Sequence, residues 1–101
     1  MQNNAIAFAT TSLVLEARAF ARAYGVDMNV LMAVCRNGTA NCFNVQAWDW
    51  VAANLPTLMP LGVKDAQTCR TAAVSKEVSM PMLDAYLGQD WSRLGTVTQE
   101  L

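Results

Sequence analysis

The feature that most constrains the fold is a stretch from residue 3 to residue 24 whose apolar side chains recur at helical spacing and which ends at Gly25. Two apolar stripes lie on nearly opposite sides of such a helix: Ile6, Leu13, Ala17, Phe20 and Tyr24 form one, and Phe8, Ser12, Leu15 and Ala19 form the other. A helix that is apolar on two sides is expected to pack between other elements. At 1.5 Å per residue it spans about 33 Å, roughly the width of a small domain. We therefore predict a central helix, with a remaining polar strip of Asn4, Thr11, Arg18 and Arg22.

Start and stop signals divide the rest of the chain into further helices. We predict them at 28–36, 41–54, 61–78 and 81–88, and from Asp90 to the C-terminus. Asp27 is placed to cap the first of these, Pro56 and Pro60 are expected to bracket a loop, and Pro81 suits a first helical turn. No segment alternates apolar and polar residues over the length of a strand. The predicted fold is all-α, with about six helices packed around the long N-terminal helix.

Composition indicates one domain with a large interface. The 101 residues suffice for a single core, and 53% of them are apolar while only 15% are charged. A domain of this size cannot hide that many apolar side chains internally, so a dimer or larger assembly is expected, with Phe8, Phe20 and Trp48 among the interface candidates. A net charge of −1 and a pI of about 5.1 argue against a nucleic-acid partner.

Several kinds of chemistry are absent from the sequence. It contains no histidine, and Cys35, Cys42 and Cys69 have no CxxC spacing, so they are expected to be small buried thiols of a cytoplasmic protein. No phosphate-binding glycine motif occurs, so this domain alone is expected to bind no cofactor. The segment MQNN lacks the basic residues of a signal peptide, and no run of about 20 uncharged apolar residues predicts a membrane span.

The strongest candidate for chemistry is the pair Lys64-Asp65, which the prolines place at the start of a helix. An aspartate is favoured there by the helix dipole and a lysine is not, so the lysine is a candidate for contact with an outside anion or carbonyl. A solvated lysine beside a well-placed aspartate is the simpler interpretation. Trp48 and Trp50 would point in opposite directions on a helix, one into the core and one toward a partner.

The order of several short motifs resembles the C-terminal domain of β-hydroxyacid dehydrogenases, the 3-hydroxyisobutyrate dehydrogenase family. In that family a glycine-rich segment and a catalytic lysine precede an asparagine, four residues on, at the start of a long helix. The opening Asn3-Asn4 and the segment LVLEARAFARAYGVD, residues 13–27, resemble that helix. If Asn4 is the family asparagine, the catalytic lysine is expected immediately before Met1.

Later motifs extend the resemblance over nearly the whole chain. Val63-Lys64-Asp65 with Cys69 and Ala73 resembles the family's lysine–aspartate helix, and residues 78–81 and 90–92 resemble its proline exit and acidic-aromatic-serine ending. Thr57, where members often have an aromatic residue, and Glu77, where they have glycine, depart from the pattern and leave the substrate open.

The resemblance implies a two-domain oxidoreductase with the helical fold of the C-terminal domain of 6-phosphogluconate dehydrogenase. Residues 1–101 would be the substrate-binding and oligomerisation domain, and a separate N-terminal Rossmann domain would bind NAD or NADP. Asn4 would hydrogen-bond the carboxylate or hydroxyl of a small 3-hydroxy acid, Lys64 would reach substrate or cofactor, and Asp65 would orient Lys64 at the cofactor. No catalytic residue is expected within this chain.

Two other interpretations remain open. A non-catalytic helical domain for oligomerisation or regulation explains the apolar surplus and the missing motifs equally well. The chain could also be a complete small helical protein with a different function. The sequence encoded upstream of Met1 distinguishes these interpretations from the dehydrogenase.

Overall fold

A computed structural model describes residues 2–89 of the chain, and it is all-helical over that range, as predicted. The described part contains five helices: α1 (Gln2–Ala23), α2 (Met28–Asn37), α3 (Phe43–Gln46), α4 (Trp48–Ser75) and α5 (Pro81–Leu87). The predicted last helix, from Asp90, lies outside the described residues. None of the described helices is both long enough and apolar enough to cross a membrane.

The long helix α1 is central, as its length and pattern predicted. It contacts each of the other four described helices, and most extensively α4. It ends at Gly25, whose φ of 73° is the left-handed conformation that glycine adopts at least cost. The Val26 amide then donates back to the Ala21 carbonyl at 2.9 Å, which satisfies one of the last carbonyls of the helix.

Other local signals are also confirmed. The Asp27 carboxylate accepts a hydrogen bond from the Asn29 amide at 2.7 Å and caps α2. Pro81 is the first residue of α5, where its missing N–H costs nothing because that amide has no helical partner. Trp48 is only 2% exposed whereas Trp50 is 56% exposed, so the two indoles do diverge.

The core consists of two clusters along α1. The first joins the C-terminal half of α1 to α2, α3 and the beginning of α4 through Leu15, Met32, Val45, Trp48, Val51 and Leu55. The second joins the beginning of α1 to the end of α4 and to α5 through Ala5, Ala66, Cys69, Leu83 and Tyr86. Helix α1 therefore connects both clusters, and α4 runs past both of them.

The predicted loop between Pro56 and Pro60 is wrong, because α4 is continuous from residue 48 to residue 75 and contains both prolines. A proline inside a helix costs about 3 kcal/mol or more. Both rings are on the exposed side, whereas Val51 and Leu55 are 3% and 1% exposed. Burial of each of those side chains contributes roughly 1.5–3 kcal/mol, which offsets much of the proline cost.

The predicted helix over residues 41–54 is divided in the structure. Ala47, with φ −96° and ψ 28°, separates the short α3 from α4. Consequently the predicted helices at 41–54 and 61–78 are replaced by one short helix and one long helix.

The sides of α1 are oriented differently from the sequence-based expectation. The stripe containing Leu13 and Phe20 is exposed, at 62% and 68%, although it was expected to be packed between neighbours. The middle of the polar strip is turned inward instead, with Thr11 2% and Arg18 7% exposed, whereas Asn4 at its beginning is exposed. Thr11 donates to the Ala7 carbonyl at 2.9 Å, and the Arg18 guanidinium stacks on the Trp48 ring at 5.3 Å. The Arg18 Nε atom is buried without a hydrogen-bond partner among the described residues, so the ring contact offsets only part of the cost of burying this charge.

The Arg18 guanidinium is the charged group most affected by this arrangement. Burial lowers the pKa of Arg18, and the neighbouring positive charge of Arg22 lowers it further, whereas Asp49 raises it. An arginine stays protonated despite such effects, so the core of the domain contains a positive charge held against an aromatic ring.

Candidate functional site

Two of the three predicted site residues are brought together by the fold. The Asn4 side-chain nitrogen donates to the Asp65 carboxylate at 2.7 Å, although the two residues are 61 positions apart in the sequence. Asn4 lies in the first turn of α1 and Asp65 lies in α4. The bond therefore fastens the beginning of the central helix to the middle of the longest one.

Small side chains beside this pair allow the two helices to approach closely. Ala5 and Ala66, the neighbours of Asn4 and Asp65, are 5% and 0% exposed. One turn further along, Gly62 faces Phe8: a Cβ atom at Gly62 would lie 2.3 Å from the Phe8 Cγ atom. No side chain larger than a hydrogen fits there unless Phe8 moves, so Gly62 helps to set the separation of α1 and α4.

The hydrogen bond also fixes how Asn4 can act on a ligand. An ionised carboxylate only accepts hydrogen bonds, so the atom of Asn4 that faces Asp65 must be its amide nitrogen. The amide oxygen and the second N–H of Asn4 are left for other partners. An amide does not titrate, so Asn4 can bind and orient a hydroxyl or a carboxylate but cannot serve as general acid or base.

Lys64 does not lie at a helix start, and that part of the sequence interpretation is wrong. Helix α4 begins at Trp48, so Lys64 is 16 residues, more than four turns, inside it. Because α4 continues through Pro56 and Pro60, Lys64 is far from the positive end of the helix dipole and is not an unfavourably placed cation. Lys64 is exposed, and within residues 2–89 its ammonium has no ion-pair partner.

Asp65 has a different described partner from the one expected. The resemblance implied that Asp65 orients Lys64, whereas the hydrogen bond in the structure orients Asn4. Contact of Lys64 or Asp65 with a cofactor stays a prediction.

An open cavity of about 320 Å³ adjoins Asn4 between α1, α3 and α4. We call it the α1–α3–α4 cavity, and its lining consists of Asn3, Asn4, Ala7, Phe8, Phe43, Asn44, Trp50, Val51 and Leu58. No charged side chain is among these described residues. Two of its aromatic side chains are largely exposed, Phe43 at 73% and Trp50 at 56%.

Asn44 is a site residue that was not predicted from the sequence. Its side-chain nitrogen donates to the Thr11 hydroxyl oxygen at 2.8 Å and to the Ala7 carbonyl at 3.2 Å, which links α3 to α1. The available signal was Thr11 itself, because a hydroxyl on a helix between apolar neighbours needs a partner once it is buried. The sequence could not show which residue supplies that partner.

A second surface, which we call the α1–α2 groove, has a volume of about 620 Å³ and is lined by Leu13, Glu16, Ala17, Phe20, Ala21, Tyr24, Val26 and Leu31. The Phe20 and Tyr24 rings pack against each other at 5.0 Å. Of the predicted interface candidates, Phe20 is on this surface. Trp48 is buried in the chain's own core, so it is wrong as an interface residue, and Phe8 is half-buried against the second cluster.

The three cysteines have free thiols in the structure. Among residues 2–89 no group of three or more metal-ligating side chains lies close enough together to hold a metal ion. Comparisons with protein-family models, with curated proteins and with solved structures find no match to this chain.

Proposed function

We propose that the chain is the C-terminal, substrate-binding domain of an NAD(P)-dependent dehydrogenase that acts on a 3-hydroxy acid or the corresponding semialdehyde. The observation that carries the proposal is the Asn4–Asp65 hydrogen bond. Both residues are site residues that the sequence resemblance implies. They meet only because α1 packs on α4, and the resemblance does not specify that contact. Lys64 directly precedes Asp65 in α4, and its side chain is exposed.

In this proposal the residues of the chain bind and orient substrate. Asn4, held by Asp65, presents its amide oxygen to the substrate hydroxyl or its free N–H to the carboxylate. The exposed ammonium of Lys64 attracts a carboxylate or phosphate of a ligand bound between the two domains. The lysine that exchanges the hydroxyl proton belongs to the segment expected before Met1.

A bound nicotinamide cofactor would supply hydride transfer, and Lys64 and Asp65 are the residues of this chain proposed to contact it. Residues 2–89 include no glycine-rich turn at a helix N-terminus, and in this proposal the pyrophosphate would be held by the N-terminal Rossmann domain. The isolated chain is therefore expected to catalyse no hydride transfer from NADH or NADPH to a semialdehyde.

Steady-state kinetics of the intact two-domain enzyme tests the proposal. Asn4→Ala should lower kcat/KM for 3-hydroxy acids at least about tenfold, which corresponds to about 1.4 kcal/mol of transition-state stabilisation. Asn37→Ala is a matched control, because Asn37 is also an exposed helical amide and its nitrogen bonds only to the Ala33 carbonyl. Unchanged kcat/KM for Asn4→Ala, or no NAD(P)H-dependent turnover by the enzyme, would contradict the proposal.

A second function, assembly with another copy of the chain, is favoured by the α1–α2 groove. It exposes Leu13, Phe20 and Tyr24 on one side of the central helix, at 62%, 68% and 75%. Contiguous apolar surface of this kind is typical of protein interfaces. Oligomerisation is compatible with the dehydrogenase proposal, and in the alternative interpretation it is the whole function of the domain.

A further inference from the structure

We propose that the α1–α3–α4 cavity binds the uncharged end of the substrate, a flat apolar ring that carries a hydroxyl donor, so that the substrates are 3-hydroxy acids with a phenol-like substituent. The inference rests on the proposed function for the reaction. Binding of the ring itself is a property of the chain and can be measured without the reaction.

The size of the cavity favours a ring over a methyl group. Its volume is about 320 Å³. An apolar protein cavity of about 150 Å³ is large enough to bind benzene. The α1–α3–α4 cavity therefore has room for a six-membered ring together with a polar substituent, and a three-carbon substrate would leave most of it unfilled.

The walls of the cavity favour a flat apolar group. Phe43 and Trp50 line it, and both expose more than half of their surface, at 73% and 56%. Aromatic side chains attract other rings in offset or edge-to-face arrangements, in addition to the effect of burying apolar area. A ring in this cavity would cover aromatic surface that is otherwise in contact with water.

The hydrogen bonds of Asn44 favour a ligand that donates a hydrogen bond to it. Thr11 uses its single hydroxyl proton on the Ala7 carbonyl, so its oxygen must accept from Asn44, and the second N–H of Asn44 also goes to Ala7. The side-chain oxygen of Asn44 is then the group left for a ligand. Asn4 keeps its oxygen and its second N–H for a ligand, so a hydroxyl, which both donates and accepts, suits the two asparagines.

The same arrangement disfavours a carboxylate in the cavity. None of the described lining residues carries a positive charge that would offset the cost of removing a carboxylate from water. The carboxylate of a 3-hydroxy acid would instead lie at the edge of the cavity, toward the second N–H of Asn4 and the exposed Lys64, and the uncharged substituent would enter the cavity.

Binding of three probes of similar shape to the 101-residue chain tests the selectivity: 4-methylphenol, 4-methylanisole and 4-methylbenzoate. The side-chain N–H resonances of Trp50 and Asn44 report on occupancy in a nuclear magnetic resonance titration. We expect 4-methylphenol to shift both sets of resonances saturably. The anisole, which has no donor, and the benzoate, which is charged, should bind at least about fivefold more weakly.

Two variants and a control locate the binding site. Phe43→Ala and Trp50→Ala should each weaken 4-methylphenol binding at least about fivefold and leave thermal stability nearly unchanged, because both side chains are exposed. Phe20→Ala removes an equally exposed ring from the α1–α2 groove and should not alter binding.

The inference is overturned if 4-methylphenol does not bind, if the three probes bind equally, or if Phe20→Ala weakens binding as much as Phe43→Ala does. It is also overturned if the Trp50 and Asn44 resonances shift with protein concentration alone, because a second copy would then cover the cavity. Selective binding together with an inactive intact protein would refute the proposed function and leave the cavity assignment intact. Turnover of small aliphatic 3-hydroxy acids without binding of 4-methylphenol would refute the cavity assignment and leave the proposed function intact.

Discussion

Gly62 is the position at which the packing of α1 on α4 can be tested by the smallest change, a single added methyl group. In Gly62→Ala the new Cβ atom would lie 2.3 Å from the Phe8 Cγ atom and 2.6 and 2.7 Å from the two adjacent ring carbons. Carbon atoms at their optimal separation are about 3.5–4.0 Å apart, so the ring or the helix must move by roughly 1 Å. Rotation of the ring about its own axis does not relieve the clash, because the Cγ atom lies on that axis.

Two opposing effects determine the stability of this variant. Alanine is favoured over glycine in a helix interior by about 0.8–1 kcal/mol. Overpacking a well-filled contact typically costs about 1–3 kcal/mol. A clash with the Phe8 Cγ atom, which ring rotation cannot move, should cost close to the higher of these values. We therefore expect Gly62→Ala to lower the free energy of unfolding by about 2 kcal/mol, which corresponds to a fall in Tm of roughly 8–16 °C for a domain of this length.

The sign of the effect should reverse when Phe8 is removed. In a Phe8→Ala background the methyl group has no ring to meet, so Gly62→Ala should stabilise the domain by about 0.8–1 kcal/mol through helix propensity alone. Urea denaturation of the wild type, both single variants and the double variant gives all four free energies. The side-chain amide signals of Asn4 provide a second readout, because displacement of α1 should break its bond to Asp65 one turn away.

Two results would refute this reasoning. One is a Gly62→Ala single variant that is more stable than the wild type, which would mean that α1 and α4 are not in close contact at this point. The other is the same loss of stability in both backgrounds, which would show that the Phe8 ring is not the obstacle.

Three further predictions follow from other parts of the structure. Lys64→Ala and Lys64→Met should change the free energy of unfolding by less than about 0.5 kcal/mol, because Lys64 is exposed within α4. Both variants should lower kcat/KM of the proposed two-domain enzyme about tenfold, and normal kinetics in both would exclude a role of Lys64 in the site. In sedimentation velocity the chain should form a dimer or larger assembly. Phe20→Ser should weaken that assembly, whereas Phe43→Ser, which changes a similarly exposed ring, should not. A wild-type monomer at high micromolar concentration would contradict the interface. Burial raises the pKa of Tyr86 to about 12, whereas an unfolded tyrosine titrates near 10. The free energy of unfolding measured with urea should therefore fall as pH rises from about 10 to 12, and an equally steep fall in Tyr86→Phe would contradict this assignment.

Features that depend on neighbouring residues in the sequence were predictable. Gly25, Asp27 and Pro81 mark a helix end, an N-cap and a first turn, and each acts through backbone geometry or a bond within two residues. The length and central position of α1 followed from the spacing of its apolar residues in the same way. These signals need no information from distant parts of the chain.

Features that depend on tertiary packing were not predictable. Pro56 and Pro60 are within α4 because the opposite side of that helix is buried in the core, and the sequence alone does not show that compensation. Thr11 and Arg18 face inward because Asn44 and Trp48 meet them from other helices. A polar strip with such partners can be buried while an apolar stripe stays exposed.

The candidate site was predictable from the sequence only in part. The resemblance selected Asn4, Lys64 and Asp65, and the fold joins the first of these to the last. The role of Lys64 was argued from a helix start that the structure does not contain, so its proposed role now depends on its exposure and its position beside Asp65. Asn44, whose bonds to Thr11 and Ala7 cross between helices, was accessible only from the structure.

The coding sequence immediately upstream of Met1 tests the assignment to a dehydrogenase most directly. The assignment predicts an open reading frame that encodes a strand–turn–helix segment with a GxGxxG motif, followed by a glycine-rich segment that ends in a lysine directly before Met1. That lysine would stand four residues before Asn4 at the head of the central helix. An in-frame stop codon directly upstream, or a preceding segment without the GxGxxG turn and without the lysine, would contradict the assignment and favour a helical assembly domain.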